Sequence, residues 1–249
     1  MEPTLVSIIT PTYNSEEFIS ETMNSIINQT YQNWELLITD DCSNDNTVEI
    51  VKQYILKDKR IKLFELKDNS GAGVARNNSI KNAKGRYIAF CDSDDKWKPE
   101  KLDKQLNFLK SKSLSFTFCS YDVTNENGDF IKTIKAPLEL SFSKLLKNNY
   151  VGCLTAIYDQ EVLGKLYMSE MRKRQDWTLW LKILKLIGNS SGQIESLALY
   201  RDRSKSISSN RFEMLKYTWL IYSNELGFSF IKSFSCLIKF LFYYIKKKI

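Results

Sequence analysis

The chain of 249 residues contains no histidine. This excludes an imidazole general base, a histidine zinc ligand and a Ser-His-Asp arrangement. Proton transfer then falls to carboxylates, and any metal ion would be held by oxygen. The five cysteines (Cys42, Cys91, Cys119, Cys153 and Cys236) are odd in number, widely spaced and never in CxxC spacing. Neither a zinc site nor a disulfide framework is indicated, and reduced thiols fit a cytoplasmic protein. The opening stretch from Met1 to Val6 has no basic segment ahead of an apolar one, so a secretory leader is not expected. No internal repeat or low-complexity stretch is present, and Lys232 and Lys239 interrupt the most apolar region. No segment therefore reads as a membrane span.

What is present is ordinary for a folded protein: 43% apolar and 26% charged residues. Lys and Arg total 36 against 29 Asp and Glu, a formal charge of +7. That excess suits nucleic acid, phosphorylated small molecules or an acidic membrane face. No recognition-helix pattern or aromatic-basic stripe accompanies it, and part of it sits in the tail, so nucleic acid is not expected as a partner.

Short β-branched runs at 5–10, 34–39, 61–66 and 87–91 alternate with helical patterns at 18–27, 48–55, 74–83 and 99–112. Pro11 is expected to end the first strand, Asn14-Ser15-Glu16-Glu17 to cap the first helix, and Asp45 to cap the second. Such alternation predicts an α/β fold with a parallel sheet between helical layers. After residue 112 the pattern changes to a hairpin around Asn125–Gly128, a short helix at 141–148, strands at 153–158 and 194–200, and a helix at 177–187. This half reads as a mixed sheet added to the first. The division is therefore 1–210, made of halves 1–112 and 113–210, followed by a helical segment 211–249.

Acidic residues gather after two of the predicted strands, as Asp40-Asp41 and as Asp92-Ser93-Asp94-Asp95. Ligands of open α/β sheets bind beyond these strand ends. Crowded carboxylates call for a compensating cation such as Mg²⁺ or Mn²⁺, which shares its shell with phosphates. A helix-capping role for the same acids is the competing reading.

The segments Val6–Asn14, Asn28–Tyr31, Trp34–Asp45, Gly71–Asn77 and Gly85–Pro99, in this order and spacing, resemble family 2 glycosyltransferases of the GT-A fold, an inverting, metal-dependent class. The resemblance implies a Rossmann-like nucleotide-binding half with a mixed central sheet. It implies a nucleotide-sugar donor site formed by Pro11, Tyr13, Asn14, Asp41, Arg76, Asp92, Ser93, Asp94 and Arg203. Asp41 matches the base-binding aspartate, whose carboxylate can accept the uracil N3–H, so a UDP-sugar is expected. Asp92-Ser93-Asp94 matches the DxD motif, with Asp94 as the direct Mn²⁺ or Mg²⁺ ligand and Asp92 on the ribose or on metal-bound water. Asp95 would support the sugar or the metal's surroundings.

Gln175-Asp176-Trp177 resembles the family's acidic motif at a helix start, which makes Asp176 the candidate base for the acceptor hydroxyl; a plain helix cap is the alternative. Trp177 and Trp180 lie three apart on one helical face, where one ring could stack on the acceptor sugar or both could pack in the core. Arg203 stands where the family often carries a histidine metal ligand or an arginine, and would close over the diphosphate. The last 22 residues read as a basic amphipathic helix on the inner membrane surface, with packing on the catalytic domain as the alternative. A sugar or lipid-linked sugar acceptor, in bacterial-type surface polysaccharide or glycolipid assembly, fits that location. A non-catalytic nucleotide-sugar-binding protein on the same fold is the alternative function.

Overall fold

The computed structural model describes residues 4–203 and 211–246. Four strands form its first half: β1 (Val6–Thr12), β2 (Trp34–Asp40), β3 (Ile61–Glu65) and β4 (Tyr87–Phe90). They pair in parallel in the order β3-β2-β1-β4. β1 and β2 are buried along their whole length, as a strand covered on both faces requires. The helices between them are α1 (Ile19–Ile27), α2 (Thr47–Lys57) and α3 (Ala72–Asn82). The chain then adds β5 (Lys96–Trp97), α4 (Lys101–Ser111), β6 (Phe116–Thr124), β7 (Phe130–Ile134), β8 (Glu139–Ser141) and α5 (Phe142–Leu145). It continues with a 3₁₀ turn (Cys153–Thr155), β9 (Ile157–Asp159), α6 (Gln160–Leu163), α7 (Gln175–Ile187) and β10 (Asn189–Arg201). The helical end consists of α8 (Arg211–Leu220), a π-turn (Ile221–Glu225) and α9 (Phe230–Lys246).

The second half extends the first sheet directly. β9 pairs antiparallel to both β4 and β6, and β6 pairs in parallel with β10, so one mixed sheet runs β3-β2-β1-β4-β9-β6-β10-β5. β7 joins antiparallel to β6 across the Asn125–Gly128 turn. Alternation of side chains along the strands splits the interior in two. Val6, Ile8, Leu36 and Ile38 pack with Met23, Val51 and Leu106 of α1, α2 and α4. Ile9, Leu37 and Phe116 pack on the opposite face with Ile80, Trp177, Trp180 and Phe240 of α3, α7 and α9.

Three details depart from the sequence reading. Pro11 lies inside β1, which continues to Thr12; pairing with β4 stops at Ile9, so that neighbour does not require the missing N–H. The first helix has no side-chain cap, because the Ser15 hydroxyl bonds the Tyr13 carbonyl and Ser93 instead. The stretch 153–158 is a 3₁₀ turn followed by a three-residue strand rather than one strand. One buried charge stands out: Lys101 is fully enclosed, its Nζ has no hydrogen-bond partner, and it lies 3.9 Å over the Trp97 ring.

Candidate active site

The acidic turn after β4 is built by its neighbours. Its own backbone closes through Asp95 N–H donating to the Asp92 carbonyl at 3.1 Å. The Thr22 hydroxyl of α1 donates to the carbonyls of Ser93 and Asp95 at 3.0 and 2.8 Å. Ser93 meets Ser15 at 2.8 Å, which ties the turn to the β1–α1 connection. Arg201, at the end of β10, grips the turn from the far side. Its backbone N–H donates to the Asp95 carboxylate at 3.1 Å, its guanidinium donates to the Asp94 carbonyl at 3.2 Å, and Glu21 anchors the guanidinium at 2.8 Å.

So held, the carboxylates crowd one another. Burial raises the pKa of Asp94, the Asp92 charge adds to the rise, and Arg203 opposes it. Asp95 is pushed well above the usual carboxylate range by burial, and then by Asp94 and Asp92. Two cations answer this charge: Arg76 pairs with Asp92 at 2.6 Å, and Arg203 with Asp94 at 3.1 Å.

Asp176 arrives from the other half of the chain. Arg174, which precedes α7, adopts a left-handed backbone (φ 61°, ψ 26°) that turns the chain into the helix. The Asp176 carboxylate accepts from the Asn149 amide at 3.0 Å. Burial raises its pKa, against the Trp177 N–H, Arg76 and Asn149. The two halves are linked by Arg76, which donates to the Gln175 side chain at 3.1 Å while pairing with Asp92. Gly73 permits this approach: a Cβ there would lie 2.7 Å from the Ser169 carbonyl and 3.2 Å from the Gln175 side chain.

The result is a cleft of about 580 Å³ lined by Asp92, Asp94, Asp95 and Arg76 from the first half and by Asn149, Gln175 and Asp176 from the second; Tyr121, Tyr200, Arg201 and Arg203 also line it. Among the described residues no group of three or more acidic or thiol side chains could hold a metal by itself. A Mg²⁺ or Mn²⁺ ion bound by one or two carboxylates and completed by phosphate oxygens needs no such group. Burial, and then the neighbouring carboxylates, disfavour the ionised forms of Asp94 and Asp95, which a divalent ion would offset, so Asp92 and Asp94 fit it.

Other expected residues are placed elsewhere. Pro11, Tyr13, Asn14, Asp41 and Ser93 do not line this cleft. Tyr13 is exposed, and the Asn14 backbone N–H donates to Ser43. Both Asp41 oxygens accept backbone N–H groups, from Ser70 at 2.7 Å and Gly71 at 2.8 Å, fixing the loop into α3. Trp177 and Trp180 are corrections. Both are completely buried. Trp177 packs on Tyr222 and Phe240 and Trp180 on Phe90 and Phe116, so neither ring is free to stack on a sugar. Asn149 and Tyr121 carry no local motif and were not selected from sequence; Arg201 lies in the segment with Arg203 but reads there equally as a solvated loop residue, not as the clamp it is.

Comparisons with known proteins bear on the family and the fold. The family model for glycosyl transferase family 2 matches residues 7–168. A putative teichuronic acid biosynthesis glycosyltransferase, TuaG of Bacillus subtilis, is 42% identical over 98% of each chain. The Escherichia coli enzyme WfgD, a UDP-Glc:alpha-D-GlcNAc-diphosphoundecaprenol beta-1,3-glucosyltransferase, is 42% identical over 88% of this chain and 85% of its own. Among solved structures, S. aureus TarS 1–349 in complex with UDP-GlcNAc superposes with a TM-score of 0.72 at 24% identity, covering 95% of this chain and 71% of that one. The GT-A fold is thereby shared, and the chain belongs to glycosyl transferase family 2.

Proposed function

We propose that this glycosyltransferase moves a sugar from a UDP-linked donor to a hydroxyl of a lipid-linked sugar, with inversion, in the assembly of a bacterial-type surface polysaccharide or glycolipid. The observation that carries the reading is that Asp94 and Asp176, 82 positions apart in sequence, open into one cleft. Asp176 takes the proton as the acceptor oxygen bonds to the anomeric carbon, and the nucleoside diphosphate leaves from the opposite face of the sugar. Burial raises its pKa, which makes it a stronger base than an ordinary carboxylate, as proton abstraction from an alcohol favours. Asn149 holds the carboxylate in place. Arg76 and Arg203 are the donors available to the departing diphosphate, and Asp94, with Asp92, would hold a divalent ion. When bound, that ion supplies Lewis-acid neutralisation of the leaving group. Asp95 braces the turn through Arg201. Pro11, Tyr13, Asn14 and Asp41, which lie outside this cleft, are proposed for the nucleoside end of the donor.

The diphosphoundecaprenol acceptor in the name of the Escherichia coli relative supports a lipid-linked acceptor. Among the described residues no helix is long and apolar enough to cross a membrane. α9 presents two faces. Ser233 and Phe240 are buried against the domain, while Ile231, Phe234, Ile238, Phe242 and Ile245 are exposed. We place this face on the cytoplasmic leaflet; five free cysteines fit that compartment. The test is a screen of UDP-, GDP- and dTDP-sugars for donor hydrolysis and for transfer to a diphospholipid-linked acceptor, with Mn²⁺ or Mg²⁺ and a chelator control. Metal-dependent turnover of a UDP-sugar that is lost in Asp94→Ala and Asp176→Ala is expected. Full turnover in either variant would sink the proposal.

A further inference from the structure

The cleft contains more positive charge than its carboxylates use. Arg76, Arg201 and Arg203 are paired with Asp92, Glu21 and Asp94, Lys173 with Glu213, and Arg172 donates to Asn69. Arg174 and Lys135 line the same cleft, and among the described residues neither makes an ion pair. Lys135 is exposed just beyond β7. Arg174 is partly buried, with its guanidinium 5.0 Å over the Trp177 ring and 5.2 Å over the Phe240 ring.

Arg174 is unfavourable as it stands. A left-handed backbone costs a non-glycine residue about 1–2 kcal/mol. Burial also pulls its pKa below the usual guanidinium value, with the Asp176 charge as the leading opposing influence. Strain of this kind persists where surrounding structure enforces it, and it collects at functional sites. Here Trp177 and Phe240 hold the guanidinium plane, leaving its N–H edge for a ligand. Phosphate oxygens match that edge better than any other common biological group.

Position decides which phosphate. Arg174 is two residues from Asp176, at the entrance to α7, whereas Asp92 and Asp94 follow β4. It also touches α9, through Phe240, and the far face of that helix is the exposed apolar one. Base, guanidinium and apolar helix therefore follow in the order of sugar hydroxyl, phosphate and lipid in a lipid-linked sugar. We infer that Arg174, aided by Lys135, is the acceptor's phosphate subsite, holding the phosphate or diphosphate of a lipid-linked sugar while the sugar hydroxyl faces Asp176. This rests on the lipid-linked acceptor proposed above.

Calorimetric titration of the full chain with decyl diphosphate and with inorganic diphosphate tests it, in chelator so that no divalent ion bridges phosphate to Asp94. Wild type should bind both. Arg174→Met keeps an apolar stem on the two rings and should weaken binding about tenfold or more, the worth of a lost charge-assisted pair. Arg174→Lys should fall between, and Lys135→Met should lose several-fold. Lys104→Met, on the surface of α4 outside the cleft, should bind as wild type. If Arg174→Met misfolds, the Arg174→Lys and Lys135→Met arms decide. Wild-type affinity in both Arg174 variants, or no diphosphate binding to wild type, would overturn the inference. Decyl diphosphate binding without inorganic diphosphate binding would assign the affinity to the alkyl chain and overturn it too. UDP with Mn²⁺ on the wild-type chain is a separate arm: its failure would count against the donor site while the diphosphate comparison stands.

Discussion

Replacing Asp176 with asparagine separates a proton acceptor from a helix cap. The carboxylate oxygen that accepts from Asn149 at 3.0 Å becomes an amide oxygen that can accept the same bond, so local geometry is retained and only the charge is lost. Losing a general base costs about 10²–10⁴ in rate, roughly 3–5 kcal/mol on the barrier at about 1.4 kcal/mol per decade. Stability should move the other way. Because burial raises the Asp176 pKa, the folded chain holds this proton more tightly than the unfolded one, and the stability gained is lost as pH rises through the folded value. Asp176→Asn removes a group whose ionised form burial disfavours, so its Tm should equal or exceed that of the wild type. The wild-type pH–rate profile should have an acidic limb above the ordinary aspartate value, with activity falling as pH drops through it. Steady-state kinetics, with nucleotide binding and thermal melts on the same samples, read all three effects. An Asp176→Asn protein with activity within a few-fold of wild type would refute the base; so would a Tm drop of several degrees with activity lost only in proportion to folded protein, which is how a cap behaves.

Other outcomes follow from the same geometry. Arg76→Ala removes the bridge between Asp92 and Gln175 and should cost about 2–4 kcal/mol, lowering Tm by roughly 5–15 °C; calorimetry checks it. Gly73→Ala drives a Cβ to 2.7 Å from the Ser169 carbonyl, so it should cost about 1–3 kcal/mol and lower kcat more than nucleotide affinity. Lys101→Met should stabilise the fold. Burial depresses the Lys101 pKa from 10.5 to about 8, a penalty of about 3 kcal/mol below that pH. The folded chain binds fewer protons than the unfolded one between those values, so wild-type stability rises across the window and the advantage of Met should shrink, as melts from pH 7 to 10 would show. Phe234→Ser with Ile238→Ser should abolish binding to anionic vesicles in a flotation assay and leave Tm unchanged, since both side chains are exposed.

The nucleotide half was legible because its signals are local. Buried strands show as continuous apolar runs, and the acidic turn follows one of them directly. The C-terminal half was harder for physical reasons. β5 has two residues and β8 three, too few for any periodicity, and they exist only because β10 offers them an edge. Asp176 was found through its motif, but its partner Asn149 lies 27 positions upstream in an irregular segment. Trp177 and Trp180 illustrate a limit of the helical pattern: spacing puts them on one face but cannot say that α9 and β6 cover it. Arg174 was unreadable because nothing in its neighbours announces a left-handed backbone.

The contact between Phe240 and α7 has a practical corollary. Phe240 lies 5.7 Å from the Trp177 ring and is 1% exposed, so it is flooring beneath the residue next to Asp176. Shortened versions ending before Phe230, attractive because they would shed a greasy tail and express as well-behaved protein, would pull up that floor. They should retain UDP affinity yet turn over poorly even with detergent-dispersed acceptor, and a worker comparing them with the intact chain would wrongly blame the missing membrane.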